Sequence, residues 1–323
     1  MRRREVIAGL SATAAWPRAA GAQQKTSPLI GILRMPPAAL DLFIRPFRAF
    51  MTGLGWEEGR TVAYRISYAD GDAARMPELA KALVTSGADV LVAAGTSSIR
   101  VLQNATATIP IVGLGEDFVG AGFAKSMARP GGNVTGVSIL ATELDAKRLE
   151  VLRAALPTAR QIGLISDPGN PLSAERWHLI EKAAQALGVR LAVFEARSEE
   201  ELHRTLHLLK GAGLDAVNVL SSPFLNSVRD QIVAALTQAR LPAIYQWTET
   251  ARQGGLLAYG PSLSEAYRHV AELVDRVLKG AKPAELPIEQ PTRIALIVNL
   301  KTARELGITI PPSLLIRADE VIE

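Results

Sequence analysis

One pattern of elements occurs twice in this chain, about 130 residues apart, and that duplication restricts the fold more than any single motif does. The first copy runs as a short apolar segment at 29–33, an amphipathic stretch at 40–54, a strand-like segment at 61–68, a helix-like run at 76–86, and apolar segments at 89–94 and 109–114. The second copy runs 162–166, 173–187, 191–195, 199–212, 216–220 and 241–245 in the same order. Landmarks keep pace: Ile30 matches Ile162, Val62 matches Arg190, Asp89 matches Asp215 and Pro110 matches Pro242, at offsets of 132, 128, 126 and 132. Short Val/Ile/Leu runs alternating with longer stretches of 3.6-residue period predict parallel strands covered on both faces by helices. Each copy is therefore expected to fold as a doubly wound α/β lobe.

A chain of 323 residues suits two lobes of about 120 to 150 residues each. Its pI of about 9.4 points to nucleic acid only while the first 22 residues are counted. They hold Arg2, Arg3, Arg4 and Arg18 against Glu5, and the remainder carries 32 basic and 31 acidic side chains. A net charge of +1 leaves no electrostatic footprint for nucleic acid. Residues 1–22 have the three parts of a secretory signal: a basic start, a modest apolar run at 6–15, and the small-residue site Ala20-Gly21-Ala22. They predict export to the periplasm with cleavage near Ala22. Arg3-Arg4 fits the twin-arginine route and the Sec route alike. With no cysteine in the chain, neither a lipidated cysteine nor a disulfide framework is expected.

Both copies close with a similar phrase. A strand-like run at 133–140 follows Pro130-Gly131-Gly132, another at 256–259 follows Gly254-Gly255, and each leads into a helix, at 143–156 and 264–279. These junctions are natural crossings between lobes, and a third is expected in the Pro-marked stretch 282–291, ahead of a strand at 294–299. Three connections make a hinge rather than a tether. The expected division is 29–140 plus 260–290 for one lobe and 141–259 plus 291–323 for the other.

In open α/β sheets, ligands gather at the carboxyl ends of strands, where helix N-termini present free N–H groups. Applied to both copies, that rule offers Arg34, Thr96-Ser97-Ser98, and Glu116 with Asp117 from the first lobe. From the second it offers Asp167 and Asn170, Ser221 and Ser222, then Tyr245 and Gln246. The hydroxyls of Thr96, Ser97 and Ser98 suit a ligand carboxylate, and serve equally as helix caps. Glu116 or Asp117 suits an ammonium, or simply the helix dipole. Asp167-Pro168-Gly169-Asn170 is a polar wall or a structural turn. Arg34 is a partner for a second ligand acid or for Asp167 itself. Tyr245, Trp247 and Tyr259 offer rings for stacking, or pack at the hinge.

Nothing in the chain has catalytic spacing. Gly113-Leu114-Gly115 lacks the rest of a dinucleotide fingerprint, and there is no P-loop or nucleophile elbow. His203 and His207 stand four apart but flank Leu202, Leu206 and Leu209, which reads as the polar edge of a helix rather than a metal site. Neither a metal nor a cofactor is expected.

Several segments resemble the ABC-transporter substrate-binding proteins of the tryptophan/tyrosine-uptake type. They are Pro77-Glu78-Leu79-Ala80, the run Asp89-Val90-Leu91-Val92-Ala93-Ala94-Gly95-Thr96, Arg129-Pro130-Gly131-Gly132-Asn133-Val134-Thr135-Gly136, Ala146-Lys147-Arg148-Leu149-Glu150, and Pro311-Pro312-Ser313-Leu314-Leu315. The resemblance covers essentially the whole chain. It implies the type I periplasmic binding protein fold, and an aspartate after the fourth strand that matches Asp117. Three positions depart from the family's common pattern: Phe118 where proline usually follows that aspartate, Asp167 where asparagine usually opens the motif, and Arg34 where small polar residues are more usual. The expected function is a monomeric periplasmic receptor that closes two lobes around a small solute, an aromatic or branched amino acid or related carboxylate, for an ABC permease in the inner membrane. A rival reading keeps the same two lobes but hands the liganded form to a membrane kinase or chemoreceptor.

Overall fold

The computed structural model describes residues 27–169 and 174–323; residues 1–22, expected to form a signal peptide, and Asn170 lie outside the described residues. The first copy forms β1 (Leu29–Arg34), α1 (Ile44–Gly53), β2 (Ala63–Tyr68), α2 (Met76–Thr85), β3 (Val90–Ala94), α3 (Thr96–Ala105), β4 (Ile111–Gly115) and β5 (Val134–Ser138). All pairings in its sheet are parallel, in the order β2-β1-β3-β4-β5. Every residue of β3, β4 and β5 is buried, as strands covered on both faces require. The amphipathic stretch expected from residue 40 becomes helical only at Ile44, because Asp41 turns its carboxylate onto the Phe43 N–H at 2.8 Å.

The chain then crosses into the second lobe through α4 (Ala141–Ala155), followed by β6 (Gln161–Ser166), α5 (Ala174–Leu187), β7 (Arg190–Glu195), α6 (Glu199–Gly211) and β8 (Ala216–Val219). Next come α7 (Pro223–Ser227), α8 (Arg229–Gln238), β9 (Ala243–Tyr245), α9 (Thr248–Arg252) and β10 (Leu257–Gly260). α10 (Leu263–Leu278) returns to the first lobe, packing on α1, β4 and β5. The last elements, β11 (Ala295–Asn299), α11 (Leu300–Leu306), α12 (Pro312–Leu315) and β12 (Glu320–Ile322), complete a seven-stranded sheet of order β12-β11-β10-β9-β8-β6-β7.

The matched landmarks do matched work. Asp89 accepts the Leu29 N–H at 2.7 Å, and Asp215 accepts the Arg160 and Gln161 N–H groups at 2.7 and 2.8 Å, so each carboxylate pins the start of its lobe's first strand. The carbonyls of Pro110 and Pro242 accept from Leu91 and Val217 at 2.8 Å each, fixing the same register in both sheets. Each sheet carries an apolar cluster on either face. In the first lobe, Ile30, Ile32, Val90 and Val92 face α1 and α10, while Leu91, Ala93 and Ile111 face α2 and α3. In the second, Ile162, Leu164 and Ala216 face α4 and α5, and Ile165, Val217 and Val219 face α6 and α8.

The second lobe is a mostly parallel sheet as expected, with one antiparallel pair, β11 against β10, which sets Gly260 opposite Ala295. The third crossing explains it. After α10, residues up to Glu289 stay with the first lobe, where Ser138 N–H donates to the Glu289 carbonyl and Glu289 N–H donates to Gly136, at 2.8 and 2.9 Å. β11 therefore enters the second sheet at the end where β10 leaves it, and because α10 packs on the first lobe instead of crossing back along the second sheet, the two strands run in opposite directions.

Candidate functional site

The carboxyl ends of β1, β3 and β4 face those of β6 and β8, and the lobes meet there. Ser97 Oγ donates to the Gly169 carbonyl across the gap at 2.9 Å, and Arg176 of α5 reaches Glu116 beyond β4 at 3.0 Å. Gly95 and Pro223 also meet across the gap: a Cβ added at Gly95 would stand 2.5 Å from Pro223 Cγ. This pinch separates two cavities, and both residues line each. The outer cavity, ≈ 230 Å³, is walled by Met35, the 71–74 loop, Ser97, Ser98, Asp167, Gly169, Arg197 and Phe224. The inner cavity is far smaller, ≈ 40 Å³, and lies among Arg34, Leu114, Glu116, Ile139, Ser221, Ser222, Asn226, Trp247, Leu263 and Tyr267.

The strand ends position these groups through local chemistry. β3 stops at Gly95, whose φ of +96° turns the chain sharply into α3, so Thr96, Ser97 and Ser98 form the first turn of that helix beside the cleft. Ser222 caps α7, accepting from Leu225 N–H at 3.1 Å, while its hydroxyl donates to Asp167 Oδ2 at 2.6 Å. Asp167 also accepts from Gly169 N–H at 2.7 Å. The acid that replaces the family's usual amide is thus both a turn residue and a buried anion on the outer cavity wall.

Arg34 does not pair with Asp167. Nε and Nη2 clamp Asp41 at 2.9 and 3.0 Å, and the guanidinium lies 4.8 Å from the Phe43 ring centroid. The departure from a small polar residue is answered by Asp41, seven residues downstream. The two acids after β4 also divide their work. Glu116 lines the inner cavity, whereas Asp117 turns its Oδ1 onto the N–H groups of Val119 and Gly120 at 3.1 and 2.8 Å and lines neither cavity. Phe118, in place of the usual proline, is fully buried against Phe123, and the glycines 113 and 115 leave room for Ile99 and Phe118 rather than for a phosphate. Tyr245 packs into the core between β9 and α8, where burial pushes its hydroxyl far above the ordinary tyrosine range. Tyr259 packs partly buried against the second lobe's apolar cluster, and its carbonyl accepts from Arg148 at 3.0 Å. Trp247, by contrast, crosses to the first lobe's apolar cluster and lines the inner cavity.

Behind Glu116 runs a buried chain of charge. Arg176 holds Glu116 and Asp145, and Asp145 also pairs with Arg148, which reaches the second crossing at the Tyr259 carbonyl. Burial works against the Arg176 charge, but Asp145 and Glu116 outweigh it and hold the guanidinium above its ordinary range. Two residues that line the inner cavity carry a buried polar atom with no hydrogen-bond partner within the described residues: Arg34 Nη1 from the first lobe and Asn226 Oδ1 from the second. Sequence reasoning missed Arg176, Pro223, Asn226 and Tyr267. All but Pro223 sit inside helices, where the strand-end rule does not look, and Pro223 opens the short α7.

Two α/β lobes with polar groups converging on a cleft between them define a bilobed binding protein. The chain belongs to the ABC transporter substrate binding protein family, whose pattern matches residues 38–322. It is 24% identical over 269 residues to a tyrosine-binding protein of Clostridioides difficile (strain R20291), covering 83% of this chain and 77% of that one. Among solved structures, it resembles an ABC domain from Streptococcus pneumonia in complex with L-Trp (27% identity, TM-score 0.79), covering 92% of this chain and all of that one. A conserved domain protein of Vibrio cholerae is similar at 27% identity and TM-score 0.81, with the same coverage. The fold is that of the type I periplasmic binding proteins.

Proposed function

We propose that this protein is the periplasmic receptor of an ABC importer, closing its lobes around an aromatic or branched amino acid or related carboxylate and presenting the closed form to an inner-membrane permease. It works as a monomer and turns nothing over. The observation that carries the reading is that Arg34 from the first lobe and Asn226 from the second line one cavity and each has a buried polar atom without a partner among the described residues, because a buried polar group without a partner is costly unless a ligand supplies one. The first turn of α3 suits the ligand carboxylate, Asp167 its ammonium, and Met35 and Phe224 its apolar body. Contacts from both lobes exist together only when the cleft is shut, so binding shifts the hinge by the difference in affinity between closed and open forms. The moving bodies are 29–140 with 260–290 and 141–259 with 291–323.

Thermal melting across a panel of amino acids and aromatic carboxylates tests this. A ligand at 100 times its Kd stabilises by about 2.7 kcal/mol, roughly 2 to 4 °C per kcal/mol for lobes of this size. No shift with any member of the panel would exclude the ligand class, and turnover of any member would exclude the receptor reading.

A further inference from the structure

We propose that Arg34 is a specificity residue that donates a hydrogen bond to a small neutral acceptor, a hydroxyl or carbonyl, carried by the ligand past the Gly95–Pro223 pinch into the inner cavity. This deepens the receptor reading and rests on it. Arg34 is 4% exposed and lines that cavity. Asp41 takes Nε and Nη2, Phe43 lies under the guanidinium plane, and Nη1 is the one nitrogen left with no partner. A donor fixed on three sides loses little entropy when it meets an acceptor. Asn226, also on the cavity wall, has a partnerless amide oxygen, which suits a group that both accepts and donates.

Size and charge narrow the class. The inner cavity, ≈ 40 Å³, has room for about two or three heavy atoms, so the ligand's body stays in the larger outer cavity. The charged residues among those lining the inner cavity are Arg34 and Glu116, and each is already ion-paired, with Asp41 and Arg176. A carboxylate entering there would be a buried anion beside Glu116 with no cation to spare, whereas a neutral acceptor carries no such cost.

Titration calorimetry of the full chain with L-tyrosine and L-phenylalanine, which differ only in a distal hydroxyl, tests the assignment. One hydrogen bond from a charged donor is worth about ten- to a hundredfold in affinity, so L-tyrosine is expected to bind at least tenfold more tightly. Arg34→Lys keeps a cation beside Asp41 but loses the fork, and is expected to bring the pair to about twofold of each other by weakening L-tyrosine far more than L-phenylalanine. Equal affinities in the unmodified protein overturn the proposal, as does a variant that weakens both ligands alike. Tighter binding of 4-carboxy-L-phenylalanine than of L-tyrosine also overturns it, since Arg34 would then be reading charge. If neither amino acid binds, the amino-acid part of the receptor reading has failed, and 4-hydroxybenzoate against benzoate decides the role of Arg34 by the same tenfold criterion. No such preference in that second pair overturns the proposal as well.

Discussion

Gly95 shows how closely the approach of the two lobes depends on single side chains. Its positive φ disfavours any other residue, and a methyl group there would meet Pro223 across the cleft at 2.5 Å. Gly95→Ala is therefore expected to hold the lobes apart, lowering affinity more than tenfold and abolishing the ligand-induced fall in radius of gyration seen by small-angle scattering. Glu116 makes the complementary case. Its bridge to Arg176 spans the lobes with side chains only 12% and 2% exposed, and Glu116→Gln removes the pair while leaving Arg176 its contact with Asp145. The expected result is an affinity loss of about tenfold, roughly 1.4 kcal/mol, with the same melting temperature in the absence of ligand to within about 2 °C. Of the residues offered by the strand-end rule, Arg34, Ser97, Ser98, Glu116, Asp167, Ser221 and Ser222 line one of the two cavities. The rule finds which loops meet but not which way a side chain turns. Asp117 turns back onto its own loop and Tyr245 into the core, because a neighbouring N–H group or an apolar surface lies nearer than the cleft.

The helix α10 carries much of the first lobe's stability although its chain arrives from the second. Leu263, Ala266, Tyr267, Val270, Ala271, Leu273, Val274 and Val277 form one buried stripe at spacings of three and four, and Leu273 is fully buried. Leu273→Ala is expected to cost about 2 to 5 kcal/mol, measured by denaturant unfolding. The start of α10 is clamped by Glu249, which accepts from Ser262 Oγ, Leu263 N–H and Ser264 N–H at 2.7, 3.0 and 3.2 Å. Burial alone would raise this carboxyl, but those hydrogen bonds outweigh it and hold it below the ordinary glutamate range. A depressed carboxyl contributes stability that is complete above its unfolded value and lost as pH falls through the folded one. Melting curves from about pH 6 to about pH 3 are expected to fall more steeply for the native chain than for Glu249→Gln. The strands and long helices were legible because burial on both faces and a 3.6-residue period leave strong patterns. The short helices α7, α9 and α12 were not, since four or five residues are too few to show a period; nor was the antiparallel β11, whose direction follows from the route of the hinge.

Taken whole, the molecule is two copies of one plan whose matched residues do the same structural work while their strand ends have diverged into opposite walls of a cleft. Asp89 and Asp215 illustrate the shared part, Arg34 and Asp167 the divergent part: the former pair fixes strand starts remote from the cleft, and the latter are the departures that shape it. That is why the repeat reveals how something is held more readily than what is held. The bridge between Glu116 and Arg176 has one more consequence. With the lobes shut, these two charges are dry and neutralise each other; with the lobes parted, each regains a shell of water, and the strong hydration of a carboxylate and a guanidinium offsets much of what their separation loses. In the proposed hinge motion, opening is in that sense a wetting step. The cleft's resistance to being pried apart is set less by the strength of an ionic bond than by how easily solvent can follow the lobes as they move.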